Sequence, residues 1–186
     1  MTALELRRKV FHLFALLLWL LPIKYLTFWQ FLFVFLLVIS LNALTVLKLG
    51  KDSFLKHYYM IVFSLEREKN LSKPSVQALW ANLGVGLSYF LFGPDSAVAG
   101  IITLAVGDAF AGLIGQSFAR IKIFSKSLEG SLAFFLSSSL ALYFFVPFPL
   151  GLLLALLGAL IELLPSPVDD NFSIPLGVSL AHSVLY

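Results

Sequence analysis

Ala97-Val98-Ala99-Gly100-Ile101-Ile102-Thr103-Leu104-Ala105-Val106-Gly107-Asp108-Ala109-Phe110-Ala111-Gly112-Leu113-Ile114-Gly115-Gln116-Ser117-Phe118 is a run of 22 residues with one formal charge, the carboxylate of Asp108. Its length matches the roughly 20 apolar residues that an α-helix needs to cross a bilayer. A carboxylate at that depth costs at least about 2.5 kcal/mol unless it is paired or wetted. Gly107, Ala111, Gly112 and Gly115 recur at close-packing intervals, so another helix or a phosphate-bearing ligand can approach the backbone there. Simple helix packing around one satisfied acid explains the same residues.

Outward from this run, further apolar segments cover 10–26, 28–47, 76–92, 128–146, 150–164 and, more weakly, 174–186. Their breaks carry turn chemistry: a turn over 22–27, then Gly93-Pro94-Asp95, Pro147-Phe148-Pro149 and Pro165-Ser166-Pro167. The apolar stretch 58–65 is too short to span and reads as an interfacial helix inside a polar loop. The chain is 60% hydrophobic with a mean hydropathy of +0.95, beyond what a soluble core of 186 residues can hide. These features predict an all-α, polytopic membrane helical bundle of about seven transmembrane helices, six also being compatible, in a single domain over 1–186. No length is left for a soluble domain. The cationic start precedes no small-residue cleavage site, so the N-terminus is expected to stay in the mature chain.

The cations give the orientation. Arg7, Arg8, Lys9, the loop residues Lys48, Lys51, Lys56, Arg67, Lys69 and Lys73, and then Arg120, Lys122 and Lys126 fall on one side of a seven-span layout, against Lys24 alone on the other. Such a 12-to-1 bias predicts a cytoplasmic N-terminus and cytoplasmic loops at 48–75, 119–127 and 165–173. The net charge of +3 is too small to suggest nucleic acid, and the absence of cysteine excludes disulfides and thiolate chemistry.

Several ionisable groups collect at that face. Lys126-Ser127-Leu128-Glu129-Gly130-Ser131 opens a span, where a lysine and the free N–H groups of a first helical turn suit phosphate. Glu129 either complements the helix dipole or, with Asp108, holds a divalent cation. Glu162 is the second acid within an apolar span, and Asp169, Asp170 and Asn171 follow in the adjoining loop. At the first span, Arg8 and His12 share a helical face beside Lys9, a position that snorkelling cations also favour. Asn82 reads as interhelical glue. Acids for a metal, bases and helix N-termini for phosphates, and lipid-facing walls together describe phosphoryl or nucleotidyl transfer between a cytoplasmic nucleotide and a lipid.

The same segments resemble the CTP-dependent lipid-alcohol (polyprenol) kinase family, which includes dolichol kinase, phytol kinase and CTP-dependent diacylglycerol kinase and is related to the phosphatidate cytidylyltransferases. Arg8-Lys9-Val10-Phe11-His12 is similar to that family's Arg-Lys-x-x-His element, and Gly107-Asp108-Ala109 through Gly115 to its Gly-Asp-x-x-Ala-x-x-x-Gly segment. Lys126 to Ser131 resembles its Lys-Ser-x-Glu-Gly-Ser box. Glu162 with Pro165, then Asp170-Asn171-Phe172-Ser173-Ile174-Pro175-Leu176, resembles its closing element. The four segments stand in family order across nearly the whole chain. Gln116, where a basic residue is frequent, and Ala119, where glycine is usual, depart from it.

The resemblance implies transfer of the γ-phosphoryl group of CTP, with Mg²⁺, to the hydroxyl of a dolichol, polyprenol, phytol or diacylglycerol type of lipid alcohol. It implies Asp108, Lys126, Glu129 and His12 as catalytic residues. Arg8, Lys9, Gly112, Gly115, Lys126, Ser127, Gly130 and Asn171 would bind nucleotide or phosphate. Asp108, Glu129, Glu162 and Asp170 would serve the metal. A cytidylyltransferase making a CDP-lipid is the nearest rival. A small ion-coupled transporter using Asp108 and Glu162, and a structural subunit, are rivals of other classes.

Overall fold

A computed structural model describes residues 2–50, 55–66 and 68–186. Of the basic residues expected in the second loop, Lys51, Arg67 and the side chain of Lys69 lie outside the described residues. The described chain is helical apart from one small hairpin. In order it forms α1 (Ala3–Leu17), α2 (Leu20–Tyr25), α3 (Phe28–Val46), α4 (Lys56–Leu65), α5 (Val76–Phe92) and α6 (Pro94–Phe118). The antiparallel strands β1 (Lys122–Ile123) and β2 (Lys126–Ser127) come next, then α7 (Leu128–Leu142), α8 (Phe148–Leu163) and α9 (Asp170–Leu185).

Local chemistry sets these boundaries. Thr2 caps α1 by accepting from the Glu5 N–H, and Gln30 reaches back to the Thr27 N–H at the start of α3. Gly93, at φ +84°, turns the chain between α5 and α6, and Pro94 then occupies the first position of α6. A proline is harmless there because that N–H has no intrahelical partner. The first apolar run, expected to be continuous to a turn at 22–27, instead breaks at Leu18 and Trp19. Pro22 falls in the first turn of α2, again where no donor is lost.

α6 and α3 are the two helices long and apolar enough to cross a membrane by length and composition, and α5, α7 and α8 are shorter apolar helices. α6 is 61% buried and α3 22% buried over the apolar window, so α6 is the central post and α3 a peripheral one. α1, α5, α7, α8 and α9 all pack on α6. Large apolar side chains such as Phe14, Trp29, Phe33, Leu136, Leu153 and Val184 clothe the outer faces. Water is a poor solvent for such a surface.

Small residues set how closely the helices approach. A Cβ added to Gly107 would lie 2.5 Å from Phe134 of α7, whose ring is fully buried, and Gly158 of α8 receives the same ring from the other side. Pro175, inside α9, cannot donate to the Asn171 carbonyl. Pro175 lies against Gly84 of α5 and Gly100 of α6, which have no side chain to obstruct it. This packing places the N-termini of α5, α7 and α9 at the same end of the bundle as the C-terminus of α8.

Because the Phe134 ring is enclosed on all sides, Gly107→Val is an overpacking change. It should cost about 1–3 kcal/mol and lower the thermal midpoint of the detergent-solubilised protein. An unchanged midpoint would show that α6 and α7 are not in this contact.

Candidate active site

Asp108 is met by α1. Lys9 Nζ donates to both carboxylate oxygens of Asp108, each at 2.7 Å, and to its backbone carbonyl at 3.1 Å. The lysine stem reaches Asp108 across Gly112, where any Cβ would collide with it. One turn further along α1, His12 Nε2 stands 4.0 Å from Asp108 Oδ2. Arg8 donates to Gln77 of α5 at 3.0 Å and to Glu5 at 3.0 Å. Its Nε, like His12 Nε2, is buried and makes no hydrogen bond of ordinary length among the described residues. Two buried polar atoms one turn apart on the same face of α1 thus lack a hydrogen bond among the described residues.

A second cluster forms around Lys126. The hairpin carries it back over the end of the bundle, where its ammonium lies 2.7 Å from Asp170 Oδ2 and 2.9 Å from Glu162 Oε1. Ser131 Oγ donates to the other oxygen of Glu162 at 3.2 Å, so this buried acid is satisfied on both sides. Burial alone pulls the Lys126 ammonium down, but its hydrogen bonds to Asp170 and Glu162 outweigh that and raise it above the ordinary lysine value. It is therefore charged throughout the physiological range.

Two helix N-termini flank this cluster. Ser127 caps α7 by accepting from the Gly130 N–H at 3.1 Å, and Asp169 caps α9 by accepting from the Asn171 N–H at 2.9 Å. Gly115 and Gly130 bring the backbones of α6 and α7 almost into contact: a Cβ on Gly130 would lie 3.4 Å from the Gly115 Cα.

All of this opens on one cavity of about 1450 Å³. Arg8, Lys9, His12, Asp108, Gly112 and Gly115 line it from α1 and α6. Lys126, Ser127, Gly130, Glu162, Asp170 and Asn171 line it from the other side, as do Gln116 and Ala119, the two positions that depart from the motif. From this polar end the cavity continues along α1 between α3, α4 and α5, where the wall turns apolar.

Glu129 is the exception among the expected site residues. Its carboxylate accepts from the backbone N–H groups of Arg120 at 3.0 Å and Ile121 at 3.2 Å, and it does not line the cavity. The chain leaving α6 presents these two free donors directly to the first turn of α7, and a carboxylate there is the nearest acceptor. The four acids expected around a metal do not converge in this arrangement: among the described residues, no three His, Asp or Glu side chains gather around one point. Two contacts had no signal in the sequence, Gln77 beside Arg8 and Ser131 beside Glu162, because each depends on which helices meet. Asn82 does act between helices, accepting from Trp19 Nε1 at 2.8 Å.

Among known proteins, the chain is 38% identical over 129 residues to an uncharacterized protein of Methanocaldococcus jannaschii, an overlap covering 64% of this chain and 65% of that one. It is 30% identical over 129 residues to a phytol kinase of Synechocystis, covering 60% of this chain and 55% of that enzyme. The chain thus spans less than two thirds of the length of either relative. No protein-family profile matches it, and no solved structure does. A lipid-alcohol kinase is therefore among its distant relatives, and at that family level the likeness agrees with the motifs that meet at the cavity.

Proposed function

We propose that this protein is a multi-pass membrane kinase that transfers the γ-phosphoryl group of CTP to the hydroxyl of a membrane lipid alcohol at the cytoplasmic face. The observation that carries this reading is the cavity itself, whose charged end gathers the motif residues and whose other end is apolar and runs along the bundle. In the reaction the acceptor oxygen bonds to the γ-phosphorus, the bond from that phosphorus to the β–γ bridging oxygen breaks, and CDP leaves. The hydroxyl proton passes to Asp108 or His12, the two groups beside the open part of the site. With a loose transition state the work is mostly positioning and charge neutralisation. Arg8, Lys126 and the first turns of α7 and α9 are the phosphate donors in this scheme.

Mg²⁺ fits the acids on the cavity. Glu162 and Asp170 already hold one cationic group between them, the Lys126 ammonium, and Mg²⁺ typically takes one or two carboxylates with the rest of its ligands from phosphate and water. When bound, the ion would neutralise the triphosphate. Asp108 is the further candidate ligand. Glu129 holds backbone instead, so its role here is to fix the hairpin that carries Lys126.

Seven spans with a cytoplasmic N-terminus put this end of the bundle at the inner face, following the bias of the cations. The cysteine-free chain makes that testable. A cysteine replacing Lys122 should react with an impermeant maleimide only from the cytoplasmic side, and one replacing Lys24 only from the opposite side. Reaction of both from the same side would overturn the topology.

In micelles containing prenols, phytol and diacylglycerol, γ-labelled CTP should yield a labelled lipid. Asp108→Asn should lose about 10²–10⁴-fold in rate, the range for losing a positioned acid–base or charged group. A CDP-lipid formed from α-labelled CTP instead would establish the cytidylyltransferase, and movement of neither label would favour transport. Glu129→Gln should behave differently, raising KM for CTP by about tenfold while kcat falls less than about threefold, as expected of a group that orders a binding loop. A loss as deep as that of Asp108→Asn would restore Glu129 to the reacting centre.

A further inference from the structure

The apolar arm of the cavity has the shape of a groove with a floor. It begins beside Arg8 and His12 and runs along α1 past Leu16 to a floor at Trp19 and Pro22, with Val34 and Val38 of α3 and Ile61 of α4 on the opposite wall. Trp19 Nε1 donates to Asn82 at 2.8 Å, and Asn42 Nδ2 donates to the Val38 carbonyl at 2.8 Å, so the indole N–H and one amide donor on this wall are already engaged. Trp19 in turn rests on Phe31 and Phe35, with ring centroids 5.6 and 6.3 Å away. Trp19 is 5% exposed and Phe31 fully buried, so this end cannot yield without repacking the core. Phe11 and Leu18 also line the cavity, yet they are more than half exposed on the outer surface of α1. The groove therefore has a lateral mouth as well as a floor.

We infer that this groove holds the hydroxyl-proximal part of the acceptor's hydrocarbon chain, with Trp19 as the residue that sets its depth, and that the rest of the chain leaves sideways past Phe11 and Leu18. The inference rests on the lipid-alcohol reading of the charged end. What commits the groove to this occupant is continuity: its wall is mostly apolar, and Arg8, Lys9, His12 and Asp108 stand at the end where a hydroxyl would react. His12 and Trp19 are seven residues apart, the last two of them past the end of α1, which is roughly 10 Å at the helical rise. The site thus reads the first ~10 Å of the chain and leaves the remainder unread. Selectivity should fall on saturation and branching near the hydroxyl, not on total length.

The test reads binding without phosphoryl transfer. In detergent micelles without CTP, a dibrominated octadecanol with its bromines at mid-chain should quench tryptophan emission saturably and be displaced by phytol. Trp19→Phe should remove most of that quenching. Absence of quenching, or equal quenching by a brominated phosphatidylcholine at the same mole fraction, would overturn the inference, the second result meaning that bulk lipid tails occupy the groove. Val38→Phe, which narrows the groove from α3 without touching the Trp19 floor, should raise KM for the alcohol about tenfold and leave KM for CTP unchanged. An unchanged KM for the alcohol would also overturn it. Saturable quenching with no labelled lipid from CTP would leave the groove standing and fail the kinase reading instead.

Discussion

The Lys9–Asp108 ion pair is the constraint from which the rest of the site follows. An acid just past the middle of an apolar helix cannot be left unpaired in apolar surroundings. Here it is answered by three hydrogen bonds from one ammonium, two to the carboxylate and one to the backbone. That partner must come from another helix, and the missing side chain at Gly112 gives it a route. Fixing Lys9 fixes the rotation of α1, and this rotation turns Arg8 and His12 inward. The same docking holds α1 against α6 and leaves the space between α1 and α3 unfilled. The charged end and the apolar groove are thus consequences of one pairing.

Much of this was legible in the sequence because depth and charge are both one-dimensional signals. A lone acid in the 97–118 run, a second at Glu162 and a lysine immediately before a helix start are visible without knowing which helices touch. The structure brings Asp108, Lys126, Glu162, Asp170 and Asn171 to one cavity across segments far apart in sequence. Glu129 stands apart from the other expected site residues because its partners are backbone donors. Arg120 and Ile121 acquire free N–H groups only when α6 stops and the chain turns into the hairpin, and no side-chain pattern records that event. The break at Leu18 and Trp19 was missed for a related reason. Hydropathy runs smoothly through it, while the Trp19–Asn82 hydrogen bond that accompanies it depends on α5 lying alongside.

Glycine and proline spacing was legible as close packing but not as a set of partners. Gly107 and Gly158 could have faced any helix, and the feature that joins them is the single ring of Phe134. Likewise Pro175 looks like a helix-breaking residue until Gly84 and Gly100 are seen to accommodate it.

Charge balance at the polar end bears on how the site would work. Lys9 answers Asp108, and Lys126 answers Glu162 and Asp170, so the principal charges facing the cavity largely compensate one another. Buried pairs of this kind contribute little net stability, since desolvation offsets most of their attraction, but removing one member exposes the other at high cost. A triphosphate entering with a cation changes the partners without creating an uncompensated charge. In the proposed reaction the phosphates would take the lysine and arginine donors, and the carboxylates the cation. Lys126 is the group best placed to make that exchange, because it sits on a two-strand hairpin and not within a packed helix, and its ammonium is shared between two acids. Lys9, held by three hydrogen bonds at a glycine on the central helix, is built to stay. The asymmetry suits the two lysines to different work in the proposed reaction: Lys9 would stay with Asp108, while Lys126 would be the one to pass from carboxylate to phosphate.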